Sequence, residues 1–250
     1  SCILNKGQRT REEEEELVTE FVIALISDCC GFEFKYPEIK EDVEHIQIPA
    51  QKGWADLMSE KIKFVTSSNA QPKLIFPGAF NPMHDGHIAM SELANKELSE
   101  EVFFEICIQN VDKPPLSYHQ IKKTIDQFTD SKNWVLTKAG KFSDKAKLFP
   151  NSTFIIGADT LVRIFDERFY ASRREMMEEF EIFNANNNNF LVFGREYKNK
   201  FIELNDIQVP DSIKSRFRGF GENIFRKDVS SSTIRAVSYT HLTLPTTYGV

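Results

Sequence analysis

The spacing of apolar and polar positions divides the chain unevenly. Five consecutive glutamates, Glu12 to Glu16, lead into an apolar stretch over residues 17–26. Thr10 and Glu13 have capping-box spacing, a helix dipole favours the acidic start, and Gly31 suits the stop. This predicts a helix whose glutamates form a solvated first turn. Residues 35–70, with Pro37, Pro49 and Gly53, are weakly patterned and read as a linker with one short helix near 54–61. From residue 73 the pattern sharpens. Short apolar runs at 73–76, 102–108, 134–137, 153–157, 190–193 and 201–204 predict strands. Three- and four-residue spacing predicts helices at 88–98, 118–128, 143–148, from about 159, at 172–183 and at 211–218. The Asn-rich stretch 184–189 reads as a plain polar turn. Strands alternating with helices predict an α/β domain, a mostly parallel sheet with helices on both faces. Such sheets bind ligands outside the carboxyl ends of their strands.

Composition narrows the class. The 250 residues are 41% hydrophobic and 27% charged, with 22 Phe to fill a core. A net charge of −6 argues against a broad nucleic-acid-binding surface, leaving room for a local basic pocket. Cys2, Cys29, Cys30 and Cys107 form no Cys-x-x-Cys pair, which argues against a zinc site or a disulfide framework and suits a reducing cytoplasm. No apolar run approaches the roughly 18 residues of a membrane span, and no signal peptide is visible. Ser1 is not a natural start, so the chain reads as a fragment.

The candidate chemistry lies directly after the strand at 73–76, in Gly78-Ala79-Phe80-Asn81-Pro82-Met83-His84-Asp85-Gly86-His87. A strand passing into a helix presents free N–H groups and a positive dipole end to anions. Gly78 permits a tight turn, and Gly86 permits close approach of backbone to phosphate. His84 and His87, three apart, share one side of a helix start. Two imidazoles there can stabilise charge on a phosphate under attack as pyrophosphate leaves. Alone, His-x-x-His would read as a surface pair or a metal site, but no third ligand is evident, and no metal-ligating residue is assigned.

The complete string resembles the nucleotidylyltransferase superfamily, whose fold is Rossmann-like. It is most similar to the nicotinate/nicotinamide mononucleotide adenylyltransferase branch, Gly-x-Phe-Asn-Pro-x-His-x-Gly-His. Cytidylyltransferases typically have Asp in place of Asn81, and phosphopantetheine adenylyltransferases usually have Thr in place of His84. Val229-Ser230-Ser231-Ser232-Thr233-Ile234-Arg235 resembles the family's Ile-Ser-Ser-Thr-x-Ile-Arg. The resemblance implies that Ser230, Ser231 and Arg235 hold ATP phosphates, and that Gly78, Phe80, Asn81 and Gly86 shape the nucleotide loop. The strand end with Gly157 and Asp159 resembles the family's Gly-Ala-Asp and implies a place at the nucleotide. Lys113, before Pro114-Pro115, matches a substrate-phosphate loop with the order changed. Trp134 is a candidate to stack on a pyridine ring or a core residue, and Arg195 a candidate for ATP or for solvent. The implied reaction is nucleotidyl transfer from ATP to a mononucleotide phosphate, with Mg²⁺ carried by the triphosphate. The alternatives are a cytidylyltransferase, an adenylyltransferase for another phosphate, and a silent nucleotide-binding module. The expected partners are small nucleotides rather than nucleic acid or membrane, and a homo-oligomer is left open.

At the N-terminal end, residues 4–13 with the helix after them resemble the closing segment of nicotinamide-nucleotide amidase-like domains. The expected division is therefore an amidase-like remnant at 1–34, a linker at 35–70 and the nucleotidylyltransferase domain at 71–236. Residues 237–250 read as a non-native, adaptor-derived tail, expected to be poorly ordered.

Overall fold

In the computed structural model, the described residues are 2–44, 50–109, 114–128 and 132–227. Two compact units are present, Ser1–Pro49 and Ala50–Val250. In the first, helix α1 (Arg11–Cys29) is closed at both ends by its own sequence. The Thr10 hydroxyl accepts from the Glu13 N–H, and the Glu13 carboxylate accepts from the Thr10 N–H. At the other end Gly31 has φ +75°, the Gly31 N–H reaches the Asp28 carbonyl, and the Phe32 N–H reaches the Ser27 carbonyl. That pair of bonds is a Schellman motif, in which glycine supplies the left-handed residue. Arg9 forks onto both carboxylate oxygens of Glu41 within the same unit.

The second unit runs α2 (Lys52–Met58), β1 (Phe64–Thr66), β2 (Leu74–Pro77), α3 (Asp85–Leu98), β3 (Val102–Cys107), α4 (Tyr118–Ile125), β4 (Asn133–Thr137), α5 (Phe142–Leu148), β5 (Thr153–Gly157), α6 (Ala158–Ile164), α7 (Arg173–Ala185), β6 (Asn189–Phe193), β7 (Arg195–Tyr197), β8 (Lys200–Ile202) and β9 (Phe217–Phe220). Among the described residues, one seven-stranded sheet has the order β1-β4-β3-β2-β5-β6-β9. All its pairings are parallel except β1 on β4. Successive residues of a strand feed opposite faces. Leu74 and Phe76 join a core with Met90 and Ala94 of α3 and Ile121 of α4, whereas Ile75 joins one with Ala146, Leu161 and Phe180 of α5, α6 and α7. The sheet is thus covered on both faces, a Rossmann-like α/β architecture as its alternating pattern predicts.

Some local expectations change. The helix expected at 211–218 is a short 3-10 turn, Lys214–Arg216, running into β9. Phe217 stacks on Phe190 at 4.6 Å and Phe220 on Phe193 at 4.7 Å, so pairing with β6 overrides local helical spacing. The strand expected at 201–204 is half of the β7–β8 hairpin. The stretch read as a linker contributes β1, and Trp54 and Leu57 of α2 are buried in the core. In the Asn-rich stretch α7 extends to Ala185, and buried Asn188 donates to the Phe149 carbonyl.

The strand order reverses between β2 and β5. From β2 the chain moves through β3 to β4, and from β5 it moves the other way to β6. Loops leaving β2 and β5 therefore diverge, opening a crevice at their carboxyl ends.

Candidate active site

The β2–α3 loop occupies one side of that crevice. The Gly78 N–H donates to the Glu105 carbonyl at 3.0 Å, so the loop leaves the sheet from a fixed point. Phe80 then takes φ +44°, a left-handed conformation that a bulky residue adopts only under constraint. Its ring is buried and packs edge-on against Phe76, Phe104, Phe128 and His87. That ring explains the glycine: a Cβ on Gly78 would lie 2.6 Å from the tip of Phe80. Asn81 is exposed at the turn, next to a cis Asn81–Pro82 peptide.

His84 is the N-cap of α3, and His87 lies in its first turn. Their rings stack at 3.7 Å with 22° between planes. The His84 backbone N–H donates to His87 Nδ1 at 3.3 Å. In neutral His87 the proton is therefore on Nε2, the atom left to donate outward. His84 is only 7% exposed, and both its ring nitrogens are buried without a hydrogen-bond partner among the described residues. Burial lowers the pKa of both rings. His87 falls to about 3 through burial, the His84 ring and Arg195; His84 falls through burial and Arg195, with Asp85 opposing. Both are neutral donors near pH 7. A Cβ on Gly86 would sit 3.0 Å from the His84 ring, so this glycine makes room for the stack.

Across the crevice, Gly157 ends β5 and Asp159 lies in the first turn of α6. Asp159 Oδ1 is 3.8 Å from Arg195 Nε and has no hydrogen-bond partner among the described residues. A Cβ on Gly157 would lie 2.3 Å from Asp159 Oδ1 and 2.9 Å from Arg195 Cδ, so only glycine leaves space for this ion pair. Arg195 follows β6, and its charge is felt by both histidines, which ties the β6 end to the same crevice.

The fold thus groups Gly78, Phe80, Asn81, His84, Gly86 and His87 on one loop, with Gly157, Asp159 and Arg195 at the neighbouring strand ends. Trp134 lies in β4, level with Phe104 and Phe76, and packs partly buried against the core. Lys113, Ser230, Ser231 and Arg235 lie outside the described residues, as does the tail 237–250. Lys227 brings the chain close to α3, its Cβ 3.8 Å from a Cβ built on Gly86. Gln127, just beyond α4, was not legible in the sequence. It hydrogen-bonds to the β2–α3 loop at Phe80 and Met83, and no local motif marks it.

The family model described as cytidylyltransferase-like matches residues 75–237. The chain belongs to the cytidylyltransferase-like family. This nucleotidyltransferase family matches from β2, before the histidine motif, to beyond Arg235. Among solved structures, the Plasmodium falciparum nicotinic acid mononucleotide adenylyltransferase complexed with NaAD aligns at 17% identity and a TM-score of 0.39, over 67% of this chain and 83% of that one. No curated protein matches the chain. Among the described residues no helix is long and apolar enough to cross a membrane.

Proposed function

We propose that this nucleotidyltransferase moves AMP from ATP to nicotinate or nicotinamide mononucleotide, releasing pyrophosphate. The observation that carries the reading is the stacked His84–His87 pair at the start of α3, where both nitrogens of the buried His84 ring lack partners among the described residues. Buried polar groups are ordinarily satisfied, and exceptions at a helix N-terminus suit an anionic ligand. Asn81 and His84, at the positions where related branches carry Asp or Thr, favour the pyridine-nucleotide branch.

In the reaction a phosphate oxygen of the mononucleotide attacks the α-phosphorus of ATP. The new P–O bond forms as the bond to the α,β-bridging oxygen breaks, and the electron pair leaves with pyrophosphate. His87, through Nε2–H, and His84 donate to the oxygens on which charge accumulates. The α3 dipole adds to this, and no covalent enzyme intermediate is needed. Gly78, Phe80 and Asn81 shape the loop, Gly86 leaves room for the histidine stack, and Gly157 leaves room for the Asp159–Arg195 pair that lines the opposite wall. Ser230, Ser231 and Arg235 would hold the triphosphate, and Lys113 the acceptor phosphate.

Among the described residues no group of three or more His, Cys, Asp or Glu side chains could hold a metal ion. Mg²⁺ would be carried in by ATP and shield the triphosphate charge, and Asp159, paired with Arg195 at 3.8 Å, is the carboxylate of the site. The segment resembling an amidase end fits the same reading, since nicotinate mononucleotide is what such a domain makes.

The test is pyrophosphate release by the full chain, with ATP and each pyridine mononucleotide, or CTP with glycerol phosphate or choline phosphate. The expected result is release with ATP and a pyridine mononucleotide, lost in His87→Ala. Release only with CTP would move the acceptor to an alcohol phosphate, and ATP binding without release would leave a silent nucleotide-binding module.

A further inference from the structure

One side chain that the chemistry above does not use is fastened to the β2–α3 loop. Gln127 is partly buried just past α4 and spends both ends of its amide on the loop. Its Nε2 donates to the Phe80 carbonyl at 2.9 Å, and its Oε1 accepts from the Met83 N–H at 2.9 Å. A second donation from Nε2, to the Thr124 carbonyl at 3.4 Å, holds the amide against its own helix.

The two loop bonds bracket the turn from Phe80 to Met83. Phe80 is the residue in the left-handed conformation, and its ring lies 5.1 Å from the His87 ring. Met83 immediately precedes His84, whose backbone N–H orients the His87 ring. A strained residue persists only where its surroundings over-determine it. Here the fastening comes from a residue more than forty positions along the chain, which no local turn chemistry could supply.

We propose that Gln127 is a positioning residue for nucleotidyl transfer: it holds the Phe80–Met83 turn so that His84 and His87 keep the orientation needed at the transferring phosphate. This inference rests on the proposed nucleotidyl transfer for its kinetic consequence, but its structural core can be measured without turnover. A glutamine suits the task because one planar group offers a donor and an acceptor side by side. A carboxylate at the same place keeps the acceptor and loses the donor, and regains an O–H donor only when protonated.

The experiment compares Gln127→Met and Gln127→Glu with the unaltered full chain. In amide hydrogen exchange, Gln127→Met should speed exchange at Met83 by at least about tenfold, leaving protection in β3 and β5 unchanged. Gln127→Glu keeps the acceptor for the Met83 N–H and should hold Met83 protection above that of Gln127→Met at pH 8, while the lost donor to the Phe80 carbonyl should return towards pH 5, as its carboxyl, with an ordinary pKa of about 4.3, begins to protonate. Lys122, Lys123 and Asp126 beside Gln127, and His84, Asp85 and His87 on the loop, are common to both variants, so the difference between the variants isolates the new carboxyl. In turnover, Gln127→Met should lose about 10²-fold in kcat with the KM for ATP little changed, because misplacement rather than binding is affected. The Gln127→Glu to Gln127→Met ratio of kcat should rise as pH falls. Unchanged protection at Met83 in Gln127→Met, loosening spread across the sheet, or a flat ratio between the variants would overturn the inference. If the unaltered chain releases no pyrophosphate with any substrate pair, the proposed function falls, while exchange at Met83 still decides the role of Gln127.

Discussion

Two groups of buried polar side chains lie near the carboxyl ends of adjacent strands, and they are wired in opposite ways. After β2, His84 has two buried ring nitrogens without partners among the described residues. On β3, Glu105 meets the Lys145 ammonium at 2.7 and 2.8 Å, and the Thr137 hydroxyl donates to the same carboxylate. Lys145 places a further hydrogen bond on the Ala139 carbonyl at 2.6 Å, and the Ala139 N–H returns one to Thr137 at 3.2 Å. A complete network of this kind rigidifies a core, whereas an incomplete one costs stability unless a ligand completes it. The contrast is one of wiring: the satisfied cluster ties β3 to β4 and α5, and the other leaves the two ring nitrogens of His84 without partners among the described residues.

The largest effect should come from breaking the satisfied cluster. Lys145→Met leaves a buried carboxylate without its cation and should cost about 3–5 kcal/mol in urea unfolding, while Lys145→Met with Glu105→Leu should recover most of that. If the single variant were as stable as the unaltered chain, the pair would not be the scaffold element described. The histidine cluster should show the reverse profile. His87→Ala should keep the fold by circular dichroism and lose about 10²–10³-fold in kcat, the size expected for one donor at a developing charge. His84→Leu sharpens the contrast, since it removes orphaned polar atoms. It should raise unfolding stability by about 1 kcal/mol and depress turnover; a drop in stability would mean the ring nitrogens are satisfied after all.

The smallest effect concerns pH. The folded state holds His84 and His87 neutral because burial, with Arg195 nearby, lowers their pKa values, and His87 lies at about 3. Unfolded histidines protonate near pH 6.5, so below that pH the unfolded chain binds more protons. Stability should therefore fall as pH drops from about 6.5 towards 3, and the His87→Ala variant should show a shallower decline in denaturant midpoint between pH 7 and 5. An equal slope in the two proteins would place the His87 pKa close to its ordinary value.

The fold was legible from the chain wherever local pattern and global fold agree. The strand at 73–76, the helix that Ile88, Met90, Leu93, Ala94 and Leu98 outline, and the α1 capping box all follow from spacing and end chemistry. It was not legible at β9, where the stacking of Phe217 on Phe190 settles a segment whose own spacing favours a helix. Nor was it legible at β1, an edge strand defined only by its antiparallel register with β4.

The same division holds at the candidate site. Sequence alone singled out the histidine string and the glycines beside it, because they stand at short, fixed intervals in one strand-to-helix segment, and the Gly157–Asp159 strand end through its resemblance to the family's Gly-Ala-Asp. Only the tertiary structure decided which loops share a crevice, since the reversal of strand order between β2 and β5 is a property of pairing across the sheet. It also decided that the Arg195 charge bears on both histidines, that Glu105 is neutralised by Lys145 rather than left for chemistry, and that Gln127 fastens the loop. Each of these is a contact between residues dozens of positions apart, and hydrophobic periodicity carries no record of such contacts.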